Sequence, residues 1–138
     1  MEPRDSHAIY LQIADLMCES VLSGAWKPGE RIPSIRETAE ARQVNPNTVM
    51  RTYSYLEEHG IIRNQRGVGF FLADDAYDVT WKLKKESFQR RDLPRLFRIM
   101  DLLRVDFDEL ERIYQAQKAR GAGPEAGPLS PTTEEIEL

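Results

Sequence analysis

The segment VNPNTVMRTYSYLEEHGII, residues 44–62, constrains this chain more than any other, because it predicts one helix with both ends defined. Asn45 can accept a hydrogen bond from a free N–H group of the first helical turn. Pro46 suits the first helical position, since it has no N–H to leave unpaired and its φ is already helical. Gly60 supplies the left-handed residue that ends a helix. We therefore predict a helix that begins at Pro46 and stops just before Gly60.

The two faces of this predicted helix differ in chemistry. One face has the helical spacing of a buried surface and consists of Val49, Thr52, Tyr53 and Leu56. The opposite face consists of Asn47, Thr48, Arg51 and Tyr55. Amide, hydroxyl and guanidinium groups bond to base edges and phosphates, and here they lie in the first two turns, where a recognition helix enters a DNA groove. The pattern predicts a DNA-reading helix.

A first helix is predicted near the N-terminus, over about residues 8–23, with Asp5 or Ser6 as its cap. Its inner stripe consists of Ile9, Ile13, Leu16, Met17 and Val21. The single cysteine, Cys18, lies within this helix, so we expect a reduced, packed thiol and no disulfide.

A second helix is predicted to open at Ser34, because Glu37 follows three residues later in the pattern of a capping box. It continues to about Arg42. About three residues then separate it from Pro46, which is the length of a helix-turn-helix joint.

Residues 61–73 predict a β-hairpin. Its two runs, IIRNQ and GFFLA, are separated by Arg66, Gly67 and Val68, so glycines lie at the tip. Strand alternation turns only one of Phe70 and Phe71 inward. Three helices followed by a small hairpin predict a winged helix-turn-helix over residues 1–74, in a chain that is mainly α with a small β-hairpin.

Residues 75–118 predict a separate all-α region. A charged helical segment is followed by a break or kink at Asp92, Leu93 and Pro94, because proline removes a helical hydrogen bond. Two amphipathic helices follow, the second opened by Asp106 and Glu109, with apolar stripes made of Leu96, Phe97, Met100, Leu103, Leu110, Ile113 and Tyr114. Such short helices need a partner for these stripes, which could be the first domain or a second copy of the chain. We predict a homodimer formed mainly through residues 75–118. Residues 119–138 are rich in Gly, Pro and acid, and we expect a disordered acidic tail.

The remaining composition excludes several classes of protein. No apolar run approaches the ~20 residues that cross a bilayer, and no signal pattern opens the chain, so we expect a cytoplasmic protein without a membrane span. His7 and His59 are far apart, and no Cys or carboxylate cluster has metal-ligand spacing, so we expect no metal. Without a nucleophile–base pair or a phosphate-binding glycine loop, we expect neither an enzyme nor a cofactor.

The charge distribution is compatible with a DNA partner. The net charge is −4, but residues 119–138 alone hold one basic residue against four acidic ones. Between Arg42 and Arg66, four arginines stand against Glu57 and Glu58. A local basic face can bind DNA with salt-sensitive affinity even on an acidic protein.

Four segments resemble the GntR family of bacterial transcription regulators: IYLQIADLM, LSGAWKPGERIPSIRETA, VNPNTVMRTYSYLEEHGII and RGVGFFLA, within residues 8–73. The short two-helix C-terminal region resembles the YtrA-like subfamily. The resemblance implies a homodimer that binds a palindromic operator in double-stranded DNA, and it suggests a repressor. Carried over by position, the DNA-binding residues would be Ser34, Arg36, Asn45, Asn47, Thr48, Arg51, Arg66, Gly67 and Gly69. One departure is Met50, where many members carry an arginine, and it leaves the operator sequence open.

Two points remain open at the level of sequence. A winged helix can also serve as a protein-interaction module without sequence-specific DNA binding, although that use predicts an apolar or acidic outer face on the third helix. No small-molecule effector can be identified. Ligand pockets commonly enclose ~300–1,000 Å³, which the 75–118 region of one subunit cannot wrap, so an effector would bind at a dimer interface.

Overall fold

The computed structural model describes residues 8–121. Its elements in chain order are α1 (Ile9–Ser23), α2 (Ile35–Arg42), α3 (Pro46–Glu58), β1 (Ile62–Gln65), β2 (Gly69–Leu72), α4 (Ala76–Ser87), a π-helical turn (Phe88–Asp92), α5 (Leu93–Leu103) and α6 (Phe107–Ala119). They form two compact units, the first extending to Trp81 and the second beginning at Lys82. The predicted fold class, mainly α with one small hairpin, is confirmed.

Helix α1 begins one residue later than predicted and without a side-chain cap. Its N-cap is Ala8, which has no capping group, and the predicted caps Asp5 and Ser6 lie outside the described residues. The inner stripe is correct at three of its positions, which are Ile13, Met17 and Val21, and Cys18 is buried beside them. Ile9, at the first helical position, is 52% exposed, because a terminal residue has packed neighbours on one side only.

Helices α2 and α3 begin where their caps predict. The Glu37 N–H donates to Ser34 Oγ at 3.0 Å, and the Ser34 N–H donates to Glu37 Oε1 at 2.8 Å, which completes the capping box. Asn45 Oδ1 accepts from the Asn47 N–H at 2.7 Å, with Pro46 at the first helical position. In the joint between the helices, Gln43 is left-handed, with φ 58°.

The core of the first unit lies between the inner faces of α1 and α3. The predicted inward residues of α3 are all buried: Val49, Thr52, Tyr53 and Leu56. The hydroxyl of Thr52 donates to the Tyr10 carbonyl at 2.7 Å and ties α3 to α1.

The hairpin has the predicted strands and a third extended neighbour. β1 and β2 pair antiparallel, with Arg63 opposite Phe71 and Gln65 opposite Gly69. On the other edge of β2, Arg31 bridges Phe71, and the Ile32 N–H donates to the Phe70 carbonyl at 2.9 Å. The segment that leads into α2 therefore widens the hairpin into a wing of three extended pieces.

The second unit contains the predicted amphipathic helices. The chain does not break before Pro94; a π-helical turn precedes α5, and the Leu93 N–H donates to the Phe88 carbonyl, five residues back. Asp106 caps α6 by accepting from the Glu109 N–H at 2.9 Å. Helix α6 ends at Ala119, one residue beyond its predicted end, and the rest of the predicted disordered tail, from residue 122, lies outside the described residues.

Residues 8–121 contain neither a membrane-spanning helix nor a cluster of metal ligands. No helix there is both long enough and apolar enough to cross a membrane. Within the same range, no group of three or more His, Cys, Asp or Glu side chains is arranged so that it could hold a metal ion.

Candidate nucleic-acid interface

The outer face of α3 presents polar side chains to solvent. Asn45 and Asn47 are exposed and Thr48 is partly so. The side-chain oxygen of Asn45, Oδ1, accepts the capping hydrogen bond, which leaves the side-chain NH₂ group as the donor that can face outward. Thr48 follows in the same turn, with a hydroxyl that can both donate and accept. These three predicted DNA-binding residues thus share the first turn of one helix.

Arg51 is exposed, but its guanidinium has a defined place. Its Cζ lies 4.1 Å from the centroid of the Tyr10 ring, a cation–π contact between α3 and α1. Tyr10 was not among the residues predicted for the site. Tyr10 belongs to the IYLQI motif, but the periodicity of α1 does not indicate which residue of another helix the Tyr10 ring contacts.

The start of α2 contributes Ser34 and Arg36. Because Ser34 Oγ accepts the capping hydrogen bond, its O–H group is the remaining donor. Among residues 8–121, the structure shows no ion pair between Arg36 and either Glu37 or Glu40. The hydrogen bond from the Ser34 backbone is the main cause that lowers the pKa of Glu37, with smaller contributions from the Ser34 hydroxyl and the charge of Arg31. The guanidinium of Arg36 is therefore not held in an ion pair by Glu37 or Glu40.

The wing tip is a short turn built on glycine. Gly67 is left-handed, with φ 76°, and the Val68 N–H donates to the Gln65 carbonyl at 2.8 Å. Arg66 is exposed beside it. Gly69 has φ 145°, and a Cβ placed there would lie 2.7 Å from Nε of Arg31. This backbone conformation favours glycine at position 69, and the flexible end of the Arg31 side chain lies where a Cβ would be, a proximity that the sequence did not indicate.

Tyr53 connects the three elements that carry these residues. Its hydroxyl donates to the Pro33 carbonyl at 2.6 Å, directly before Ser34, and is 2.9 Å from the Thr38 hydroxyl in α2. Its ring meets Phe70 of β2 edge-on, with centroids 4.9 Å apart. Burial raises the pKa of Tyr53 to about 12. The inner face of α3 therefore holds the α2 start and the wing in fixed relation to its polar outer face.

These features define a winged helix-turn-helix protein with a polar recognition helix. Residues 9–72 match the family described as "Bacterial regulatory proteins, gntR family". A solved GntR-family structure from Bacteroides thetaiotaomicron is 41% identical, with a TM-score of 0.64, and the match covers 83% of this chain and 99% of that one. The chain belongs to the GntR family, which consists of transcription regulators and not of enzymes.

Two other comparisons bear on subfamily and fold. The HTH-type transcriptional repressor YtrA of Bacillus subtilis is 45% identical over 76 residues, which are 55% of this chain and 58% of YtrA. This similarity agrees with the YtrA-like resemblance of the sequence. Streptococcal BusR (S. agalactiae), solved in complex with its promoter DNA, is 18% identical with a TM-score of 0.58, over 80% of this chain and 54% of that one, and shows likeness of fold alone.

Proposed function

We propose that this chain is a sequence-specific DNA-binding transcription repressor that acts as a homodimer on a palindromic operator. The observation that supports this most strongly is the fixed grouping of the α3 outer face, the α2 start and the wing tip around Tyr53. A protein-interaction module would not need three polar elements held in one arrangement. Repression is favoured by the similarity to YtrA, which is named a repressor.

The proposed DNA contacts follow from the donors that the fold leaves available. Side chains of α3 would read base edges in the major groove: Asn45, Asn47, Thr48 and Arg51. Ser34 and Arg36 would bind phosphates at the α2 start, where helix N–H groups also favour anions. At the wing tip, Arg66 and the exposed backbone of Gly67 and Gly69 would approach the minor groove or its phosphates.

Residues 75–118 are proposed as the dimerisation region and residues 1–74 as the DNA-binding domain. No residue of α5 or α6 is buried within one chain. Their exposed apolar side chains are Phe97, Ile99, Leu102, Leu103, Phe107, Ile113 and Tyr114. A soluble protein rarely leaves so many large apolar groups in water, and a second copy would cover them symmetrically. Two-fold symmetry in the protein would be matched by a palindrome in the operator.

Selection of bound sequences from a random DNA pool tests the function directly. The full chain should enrich two inverted half-sites at a fixed spacing. Enrichment of a single unrepeated site would refute the palindromic dimer, and no enrichment would favour the protein-interaction module.

A surface variant tests the dimer separately. Leu102 is 76% exposed in one chain, so Leu102→Glu should leave the monomer folded but shift sedimentation from dimer to monomer. Gln117→Glu, an exposed site on α6 with the same charge change, is the control and should stay dimeric. If the Leu102→Glu protein remains a dimer, the proposed interface is wrong.

A further inference from the structure

The outer face of the wing carries a row of three side chains that the predicted contacts do not use. Arg31 bridges Phe71 on one edge of β2, and Arg63 pairs with Phe71 on the other. Directly paired residues in antiparallel strands project from the same face of a sheet. Phe70 packs on Tyr53 in the core, so its neighbour Phe71 and both arginines lie on the opposite face.

Both arginines are paired with Phe71, but their side chains extend toward opposite ends of the hairpin. The Arg31 guanidinium lies against Gly69, since a Cβ at Gly69 would be 2.7 Å from its Nε and 3.2 Å from its Nη2. Gly69 is two residues closer to the wing tip than Phe71. Arg63 instead donates from Nη1 to the Leu72 carbonyl at 3.4 Å, which is at the base of the hairpin. Only Arg31 is therefore directed toward the tip.

Arg31 also lies near the start of α2. Its charge is one of the causes that lower the pKa of Glu37, the third residue of that helix. Arg31 precedes Ser34 by three residues and is exposed. Arg31 thus starts three residues before Ser34 and reaches Gly69 with its guanidinium, so it lies near both elements that are proposed to bind phosphates.

We propose that Arg31 is a further DNA-contacting residue, whose guanidinium, positioned over Gly69, binds a backbone phosphate between the contacts of α2 and of the wing tip. This inference rests on the proposed function. A phosphate is the expected partner because Arg31 belongs neither to the helix that enters the groove nor to the tip turn. Half to two-thirds of protein–DNA hydrogen bonds go to phosphate and sugar oxygens. Gly69 then serves to admit the guanidinium, in addition to any contact of its own backbone.

Equilibrium binding of the full chain and its variants to DNA tests the inference, with Arg63→Ala as the matched control. Binding should be measured on the selected operator and on a scrambled duplex of equal length, from about 50 to about 200 mM salt. Arg31→Ala should weaken binding alike on both duplexes and reduce the salt slope by about one unit. Because its slope is smaller, the affinity deficit of Arg31→Ala relative to the wild type should shrink about 3.5-fold over this salt range. Arg63→Ala should match the wild type.

Each alternative result has a distinct meaning. If Arg31→Ala behaves as Arg63→Ala does while the wild type still prefers the operator, the inference is wrong and the proposed function stands. A loss confined to the operator would indicate a base contact and overturn the assignment to phosphate. If the wild type binds neither duplex, the proposed function itself fails. Arg31→Gln keeps most of the side-chain length without the charge and should show the same loss of binding as Arg31→Ala. It replaces Arg31→Ala in the test if the alanine variant has a lowered melting temperature.

Discussion

Arg51 of the recognition helix rests its guanidinium on the ring of Tyr10, with Cζ 4.1 Å from the ring centroid. The same residue of α1 accepts, through its backbone carbonyl, the Thr52 hydroxyl at 2.7 Å. Tyr10 therefore fixes both the helix that carries Arg51 and the direction of its side chain. An arginine held in this way loses less conformational entropy when it binds DNA than one that moves freely in solvent.

Arg51→Ala should affect DNA binding more than folding. Loss of an exposed cation–π contact should lower the free energy of unfolding by about 0.5–1 kcal/mol. If Arg51 makes a bidentate contact to a guanine edge, operator binding should weaken by about 1–3 kcal/mol, with relaxed preference at one base position in each half-site. The measurements are thermal melting and equilibrium binding to operator and scrambled DNA. Unchanged operator affinity in a folded dimer would remove Arg51 from the interface.

Tyr10 should act on DNA only through Arg51. Tyr10→Leu removes the aromatic face and should weaken operator binding, whereas Tyr10→Phe keeps the face and should bind as the wild type does. In an Arg51→Ala background, Tyr10→Leu should cause little further loss, which a double-mutant cycle measures. Full additivity of the two losses would show that the stack does not position Arg51.

The sequence predicted best the features that depend on neighbours in the chain. The caps at Ser34 and Asn45, the helix stop near Gly60 and the glycine-tipped hairpin are each specified within a few residues, and all were confirmed. The proline at 94 correctly marked an irregularity. It did not show that the helix would continue through a π turn, because the choice depends on how the freed carbonyls are bonded.

Features that join distant segments were missed. The stack of Arg51 on Tyr10 and the position of Arg31 against Gly69 each bring together residues about 40 positions apart. Helical periodicity assigned Tyr53 to the core but not its hydrogen bonds to Pro33 and Thr38. Such contacts follow from the packing of whole elements, and a single sequence carries no local signal for them.

Thr80→Val should stabilise the first unit or leave it unchanged. Thr80 is fully buried, and its hydroxyl has no hydrogen-bond partner among residues 8–121, so valine removes an unsatisfied polar group at nearly constant shape. We expect a gain of up to about 1 kcal/mol, seen as a higher melting temperature. Thr52→Val is the matched control: that threonine is equally buried but bonded to the Tyr10 carbonyl, and its loss should cost about 1–3 kcal/mol. Equal destabilisation by both would show that the Thr80 hydroxyl has a partner.

Tyr53→Phe should destabilise the protein at neutral pH and remove part of its sensitivity to alkali. The substitution leaves the Pro33 carbonyl and the Thr38 hydroxyl short of a partner, at a cost of about 1–3 kcal/mol. In the wild type, burial raises the pKa of Tyr53 from 10.0 to about 12. The folded state therefore holds this proton more tightly than the unfolded state. The associated stability is fully present below pH 10 and is lost as the pH rises toward 12.

The difference between the two proteins isolates this contribution, because their sequences are identical at every other position. From pH 10 to pH 12, the stability advantage of the wild type over Tyr53→Phe should shrink. By linkage, the loss over this range should be about 2 kcal/mol. Urea unfolding at a series of pH values measures it. Tyr77→Phe, at a site 48% exposed, is the control for loss of a tyrosine hydroxyl and should keep the stability of the wild type at neutral pH. A wild-type advantage that stays constant across this range would show that the Tyr53 phenol ionises equally easily in the folded and unfolded chains, and would contradict the effect of burial on its pKa.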